Sequence, residues 1–288
     1  MSMTPATQSA QRSLTAAECS INTATLGHAE PIGTVIERVA KHGFGGISPW
    51  RRDLEGHDVR TVARRIRDAG LSVSGYCRST YLTGASRVER QQAVRENRQA
   101  IEDAAALGSA CFVLVVGGLP AGSRDLADAR RQVEDGVAEL LEHARSVGVP
   151  LALEPLHPMY AGDRSCLTSL AEAIALCERL DRHGIGGLGV AVDAYHVWWD
   201  WRVSHEIRAA SGRLLAFHVC DWLIPTRDML LDRGLMGDGV IDLKALRSAV
   251  EEADFNGMIE IEIFSEEIWR WDPETILSRC VERVCTAC

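Results

Sequence analysis

Four apolar runs in the second half of the chain end in the same way. LALEPLHP carries Glu154 and then His157; VAVDAYH carries Asp193 and His196. AFHVCD carries His218 and Asp221, and IEIEIFS carries Glu262 and Ser265. Each run delivers one ionisable side chain near its end, with a second polar residue three positions on, where a loop begins. A buried charge is costly unless it is paired. Three carboxylates meeting on one rim repel each other, and no cationic residue stands among them in these runs. A divalent cation resolves that conflict. Glu154, Asp193, His218 and Glu262 are therefore the candidate metal ligands. Three oxygen donors and one nitrogen favour Mn²⁺, with Mg²⁺, Co²⁺ and Zn²⁺ left open. Glu260 shares the face of Glu262 by strand alternation but lies two residues deeper. It reads as the partner of a buried Arg or Lys, not as a ligand.

Four strand ends converge only if the strands lie side by side and point one way. Eight short apolar runs recur, at 19–25, 45–50, 71–77, 110–118, 149–156, 187–193, 214–221 and 257–264. Their length and branched aliphatic content suit strands buried on both faces. Between them lie charged stretches with helical spacing. Several close on a glycine, such as GTVIERVAKHG at Gly43 and VRTVARRIRDAG at Gly70. Asp242 is placed to cap the helix of IDLKALRSAVEEA. Eight alternating units with no linker predict an α/β fold, one (β/α)8 TIM barrel over 18–288, after a disordered leader over 1–17. The active site of such a barrel lies at the C-terminal face of the strands.

The 288 residues are 46% hydrophobic and 25% charged, as in an ordinary globular protein. The net charge of −9, without a basic block, argues against a nucleic-acid surface. No apolar run reaches the length of about 20 residues that spans a bilayer, so no membrane partner is expected. The start of the chain lacks a secretory pattern, and nine scattered cysteines read as free thiols in a reducing cytoplasm. CVERVCTAC has a C-x4-C-x2-C spacing but no fourth ligand downstream, so it is not read as an iron–sulfur site.

All seven tryptophans, at 50, 198, 199, 201, 222, 269 and 271, follow a proposed strand. They are expected around one mouth, where aromatic walls suit the C–H faces of a sugar. Trp269 and Trp271 could alternatively line a subunit interface. On the same rim, His157, Asp221 and Trp222 are candidate substrate contacts. In the loop RDMLLDRGLMGDGVIDL either Arg227 or Arg233 could reach inward, and the spacing to Gly237 favours Arg233. The glycine pair of VVGGLPAG is a weak phosphate signal without a P-loop lysine.

LALEPLHP, VAVDAYHVWW, AFHVCDW, RGLMGDGVIDL and IEIEIFSEEIW together resemble the xylose isomerase-like TIM barrels of the sugar phosphate isomerase/epimerase family. The resemblance implies a metal-dependent isomerase or epimerase acting on a small sugar through an enediolate, with Glu154 and Glu262 as the proton-shuttling pair. It also implies that His196 and Arg233 touch substrate oxygens, and that the chain forms a homo-oligomer. The alternative is a lyase or dehydratase on a keto-sugar or inosose, using His157 or His196 as acid. A carbohydrate-binding subunit without turnover and an abasic-site nuclease on the same barrel are weaker readings. The sugar itself is not legible.

Overall fold

The computed structural model describes residues 13–288. Most of the expected leader, residues 1–12, lies outside the described residues. Its last residues belong to the fold: Leu14 is buried, and Gly45 N–H donates to the Ala16 carbonyl at 3.3 Å.

The first half of the chain runs β1 (Cys19–Asn22), α1 (Ile32–Lys41), β2 (Gly46–Ser48), α2 (Val59–Asp68), β3 (Ser72–Val73), α3 (Arg87–Leu107), β4 (Phe112–Leu114) and α4 (Leu126–Val147). It continues with β5 (Leu151–Leu153), α5 (Leu170–Leu180), β6 (Leu188–Asp193), α6 (Ala194–Val197), α7 (Val203–Ala209) and β7 (Leu214–Val219). A small ribbon, β8 (Asp221–Trp222) with β9 (Arg233–Gly234), precedes α8 (Leu243–Glu252), β10 (Ile259–Ile261) and α9 (Pro273–Ala287).

Eight strands form a parallel sheet in the order β3-β2-β1-β10-β7-β6-β5-β4. A bridge between Tyr76 and Phe112 joins its two edges, with Tyr76 N–H donating to Cys111 O at 3.1 Å and Val113 N–H to Tyr76 O at 3.1 Å. The barrel is thereby closed, as the eight alternating runs predict, and every expected strand segment contains one observed strand.

Local chemistry explains the helices. Asp242 accepts from Ala245 N–H at 3.0 Å at the start of α8. The long helices α3 and α4 stop where Gly108 and Gly148 take the left-handed conformation that the chain reversal requires. The main core lies between the sheet and these helices. Inside the barrel a second cluster consists of small side chains, Cys77, Cys111, Val113, Ala152, Ala191 and Ala216. Their size leaves room along the barrel axis for the larger ionisable groups at the strand ends. All nine cysteines are free thiols, and among the described residues no helix is long and apolar enough to cross a membrane.

Candidate active site

Strand register sets the polar cluster. Asp193, the last residue of β6, pairs with His218 of β7, and His218 pairs on its other side with Glu260 of β10. Glu262 lies two residues above Glu260, so alternation turns both toward the barrel axis. Glu154 directly follows β5, its N–H donating to Leu114 O at 3.0 Å. One ligand atom from each of Glu154, Asp193, His218 and Glu262 lies within 4.8 Å of the others, and all four residues are buried.

Several of these atoms lack protein partners. His218 Nδ1 comes within 2.9 Å of Glu154 Oε1, yet neither atom makes a well-directed hydrogen bond. The other donors are held from outside the cluster. Asp193 Oδ1 accepts from Tyr195 N–H at 2.8 Å, and Glu262 Oε1 accepts from Asn22 Nδ2 at 3.0 Å. A buried, outwardly braced set of three carboxylates and an imidazole, with orphaned donor atoms, fits a divalent cation.

Two expectations about this cluster are corrected. The first is the absence of a cation. Arg233, buried on β9, donates from Nη1 to Asp193 Oδ2 at 3.0 Å and to Glu262 Oε2 at 3.3 Å. Its guanidinium lies over the rings of Tyr195 and Phe264, 4.4 and 4.9 Å from their centroids. With Arg233 included, three carboxylates still leave two negative charges for a dication to balance. The second is the partner of Glu260. It accepts from Asn22 Nδ2 and Ser74 Oγ, both at 2.8 Å, and lies 3.5 Å from His218 Nε2. Amide and hydroxyl donors, with the His218 ring nearby, take the place of the expected Arg or Lys.

The titration of the metal-free cluster reflects its crowding. Burial first, then Glu154 and Asp193, push Glu262 up to about 8, against His218 and Arg233. Burial opposes charge on His218, but Glu260, then Glu154 and Glu262, hold it well above the ordinary imidazole range. Burial likewise opposes ionisation of Asp193, and Arg233, His196 and His218 nonetheless keep it low. His196 is driven down to about 3, mainly by burial, with Arg233 adding to it against Asp193. It is a neutral imidazole. Donors face both of its nitrogens, His157 N–H at 3.3 Å from Nδ1 and Arg233 Nη2 at 3.2 Å from Nε2, and a neutral ring accepts from one of them. Nε2 also lies 3.5 Å from Asp193 Oδ2.

Glu154, Glu262, His196 and Arg233 border one cavity of about 150 Å³. The other expected substrate contacts do not line it. Asp221 is fully buried and spends both oxygens on backbone N–H groups: Trp222 and Ile241 at Oδ1, Gly237 at Oδ2, over 2.9–3.0 Å. Gly239 runs so close that an added Cβ would sit 2.2 Å from Trp222 O and 2.5 Å from Asp221 Oδ1. Asp221 thus clasps the turn that carries Arg233. His157 caps a short turn by accepting from Met159 N–H at 3.2 Å, its ring lying between Trp199 and Trp222. Trp222 stacks on Tyr195 at 4.6 Å, behind the cavity wall.

The tryptophans are also redistributed. Trp50 lines the cavity, Trp198 packs on Trp222, and Trp201 is 91% exposed. Trp269 donates to Ala24 O at 2.8 Å. Arg227, the rival of Arg233, is exposed and paired with Asp232 and Glu267. In the glycine pair, Gly117 N–H is engaged by Arg164 O at 3.0 Å. Sequence reading missed Asn22, Arg78, Tyr81, Tyr160 and Arg164. Asn22 had a signal, since it ends β1 as the four ionisable residues end theirs.

Comparisons with known proteins identify the fold and the family. A model of the xylose isomerase-like TIM barrel family matches residues 36–282. The crystal structure of protein SMc04130 from Sinorhizobium meliloti 1021 is 44% identical, with a TM-score of 0.91, covering 94% of this chain and 98% of that one. An inosose isomerase of Bacillus velezensis is 21% identical over 260 residues, 86% of this chain and 88% of the relative. The L-ribulose-5-phosphate 3-epimerase UlaE of Escherichia coli is 25% identical over 227 residues, 75% and 73% of the two chains.

Proposed function

This chain belongs to the xylose isomerase-like TIM barrel family, and from that premise we propose that it is a metal-dependent isomerase or epimerase of a small sugar. The observation that carries the reading is the position of Glu154 and Glu262. Both border the cavity and both belong to the four-residue cluster. The isomerase and epimerase among its relatives support the reaction class.

Glu154, Asp193, His218 and Glu262 would hold one divalent cation, with Mn²⁺ the best match to three oxygens and a nitrogen. When bound, the cation supplies positive charge that favours ionised carboxylates and polarises a neighbouring carbonyl. Glu154 and Glu262 stand on strands separated by β6 and β7, so they face each other across the mouth. One carboxylate takes the proton from a carbon beside the carbonyl. The other, protonated at the outset, delivers its own proton, to the opposite face in epimerisation or to the neighbouring carbon in isomerisation. The two groups end with their protonation states exchanged. General-base help of this kind is worth about 10²–10⁴-fold. Arg233, with His196 beside it, presents donors to the oxygen that gains charge as the enediolate forms.

A lyase would need a further acid at the cavity. His157 is committed to its turn and ring stack, and His196 is neutral, so the proton shuttle fits the side chains better. The free thiols suit a reducing compartment such as the cytoplasm. The test is a nuclear magnetic resonance screen of keto-sugars in D₂O with the Mn²⁺-loaded protein. Deuterium washing into the carbon beside the carbonyl, lost on chelation, supports the reading. An unsaturated product would convert it to the lyase, and exchange indifferent to chelation would count against both.

A further inference from the structure

Asn22 reaches two glutamates at once without itself bordering the cavity. β1 runs parallel to β10 with Ser20 beside Glu260 and Ile21 beside Ile261, and the next step brings Asn22 level with Glu262. Its Nδ2 donates to Glu260 Oε1 at 2.8 Å and to Glu262 Oε1 at 3.0 Å; a weaker contact to Cys77 Sγ is longer, 3.5 Å. Its Oδ1 accepts from Trp50 Nε1–H at 2.7 Å and from Ala24 N–H at 3.1 Å. The amide cannot be turned over, because Nδ2 would then face two groups that only donate.

Trp50 is a fixed post for that oxygen. Its backbone N–H donates to Asp53 Oδ2 at 3.0 Å and to Thr23 Oγ1 at 3.2 Å, and its ring meets His28 and Phe264 edge-on, each at 5.6 Å between centroids. The same ring borders the cavity. Glu262 is held at both oxygens: Oε1 by Asn22, and Oε2 by Arg233 Nη1 at 3.3 Å, with His218 Nδ1 3.9 Å away. The last torsion of a glutamate is soft, and a reacting group displaced by about 1 Å can lose about 10²-fold in rate. A brace on Oε1 therefore governs what Oε2 can do. Asparagine suits this place as a donor without charge. A lysine would neutralise a glutamate and compete with the cation, and an aspartate would add a carboxylate with no donor.

Resting on the isomerase or epimerase reading, we propose that Asn22 is a positioning residue for Glu262. By holding Oε1 it sets the plane of the carboxylate, keeps Oε2 turned to the cluster and the cavity, and ties both to the Trp50 wall. The rival role is local, since Asn22 Oδ1 also caps the short turn after β1 through Ala24 N–H.

N22S and N22D separate the two roles. Serine and aspartate cap a turn as asparagine does, but serine is too short to bridge the glutamates and aspartate has no N–H. In the Mn²⁺-loaded protein each should lower kcat for ketose exchange in D₂O by about tenfold or more, with KM within about twofold, because Asn22 does not line the cavity. Mn²⁺ titrated into chelated N22S, followed by electron paramagnetic resonance, should show a Kd raised about tenfold. D58A removes an exposed helix cap outside the cavity lining, and should lower the melting temperature while leaving kcat and Kd unchanged.

Wild-type kcat and Kd in N22S and N22D, with only a lower melting temperature as in D58A, would overturn the proposal and leave Asn22 as a turn cap. A loss confined to KM would overturn it too. Should both variants fail to fold, W50F keeps Asn22 and deletes the indole N–H that steers it. Its Mn²⁺ Kd, read without substrate, should rise about threefold, and an unchanged Kd contradicts the proposal. Should no ketose exchange with the wild type, the isomerase reading fails, and the Mn²⁺ titrations decide the role of Asn22 on their own.

Discussion

Two buried acidic sites lie at opposite ends of the barrel, and they are finished differently. Near the start of β6, Asp181 has four donors for two oxygens. Arg145 and Ile185 N–H donate to Oδ1 at 2.7 and 2.9 Å; Gly186 N–H and Arg213 donate to Oδ2 at 3.1 and 3.2 Å. Nothing is left over. At the other end, Arg233 reaches Asp193 and Glu262, and Glu154 Oε1 and both nitrogens of His218 are left without hydrogen bonds. A satisfied buried charge ties loops and helices together. A braced but unsatisfied one is prepared for something that arrives later. The same contrast separates the stability and activity faces of barrels of this type.

The largest effect expected of this contrast is on turnover. E154Q or E262Q should lower the rate of solvent deuterium exchange by about 10²–10⁴-fold, the worth of a general base, while the barrel still folds. Steady-state exchange and a thermal melt check the two halves. A loss of fold with the loss of rate would put these glutamates in the same class as Asp181.

At the opposite end the signs reverse. D181A strands two arginines and two backbone donors, and should destabilise the protein by about 3 kcal/mol in urea unfolding. Exchange by the folded protein should stay within about twofold of wild type, because Asp181 is remote from the cavity.

Next in size is the coupling of metal, pH and stability. Saturation at about 100 times Kd adds about 2.7 kcal/mol through binding to the folded state alone. In the metal-free protein Glu262 is held up to about 8, above its value of about 4.3 in the unfolded chain. The folded state thus keeps a proton that the unfolded state releases. That contribution is complete below about pH 4.3 and is lost as pH rises through about 8. Melting temperatures of metal-free wild type, compared with E262Q, should therefore fall relative to the variant between pH 5 and pH 8. Mn²⁺ should abolish the slope.

The smallest effect sharpens the assignment of the loop arginines. R227A removes an exposed residue paired with Asp232 and Glu267, and should change stability by no more than about 1 kcal/mol and exchange by no more than about twofold. A large effect would mean that Arg227, and not Arg233, serves the site.

Much of this was legible before any coordinates. Strand alternation and the shared C-terminal rim suffice to bring Glu154, Asp193, His218 and Glu262 together, because closure of eight parallel strands leaves those side chains one common space. What escaped depended on contacts across loops. Asp221 was expected at the substrate because it follows His218 by three residues, but the backbone N–H groups of Gly237 and Ile241, in the turn after β9, and of its neighbour Trp222 claim its carboxylate. Arg233 was placed inward by its spacing to Gly237, yet its ion pairs with Asp193 and Glu262 needed the β8–β9 ribbon. The tryptophans share a position after strands and nothing more. Loop path decides whether such a ring lines the mouth, as Trp50 does, or faces water, as Trp201 does.

The central claim is that one divalent ion joins four strand ends. Titration of Mn²⁺ into chelated protein, followed by electron paramagnetic resonance, measures it directly. One bound equivalent per chain is expected in wild type, weakened at least tenfold by H218Q or D193N and unaffected by D181N. No binding, or binding that H218Q and D193N leave intact, would contradict it.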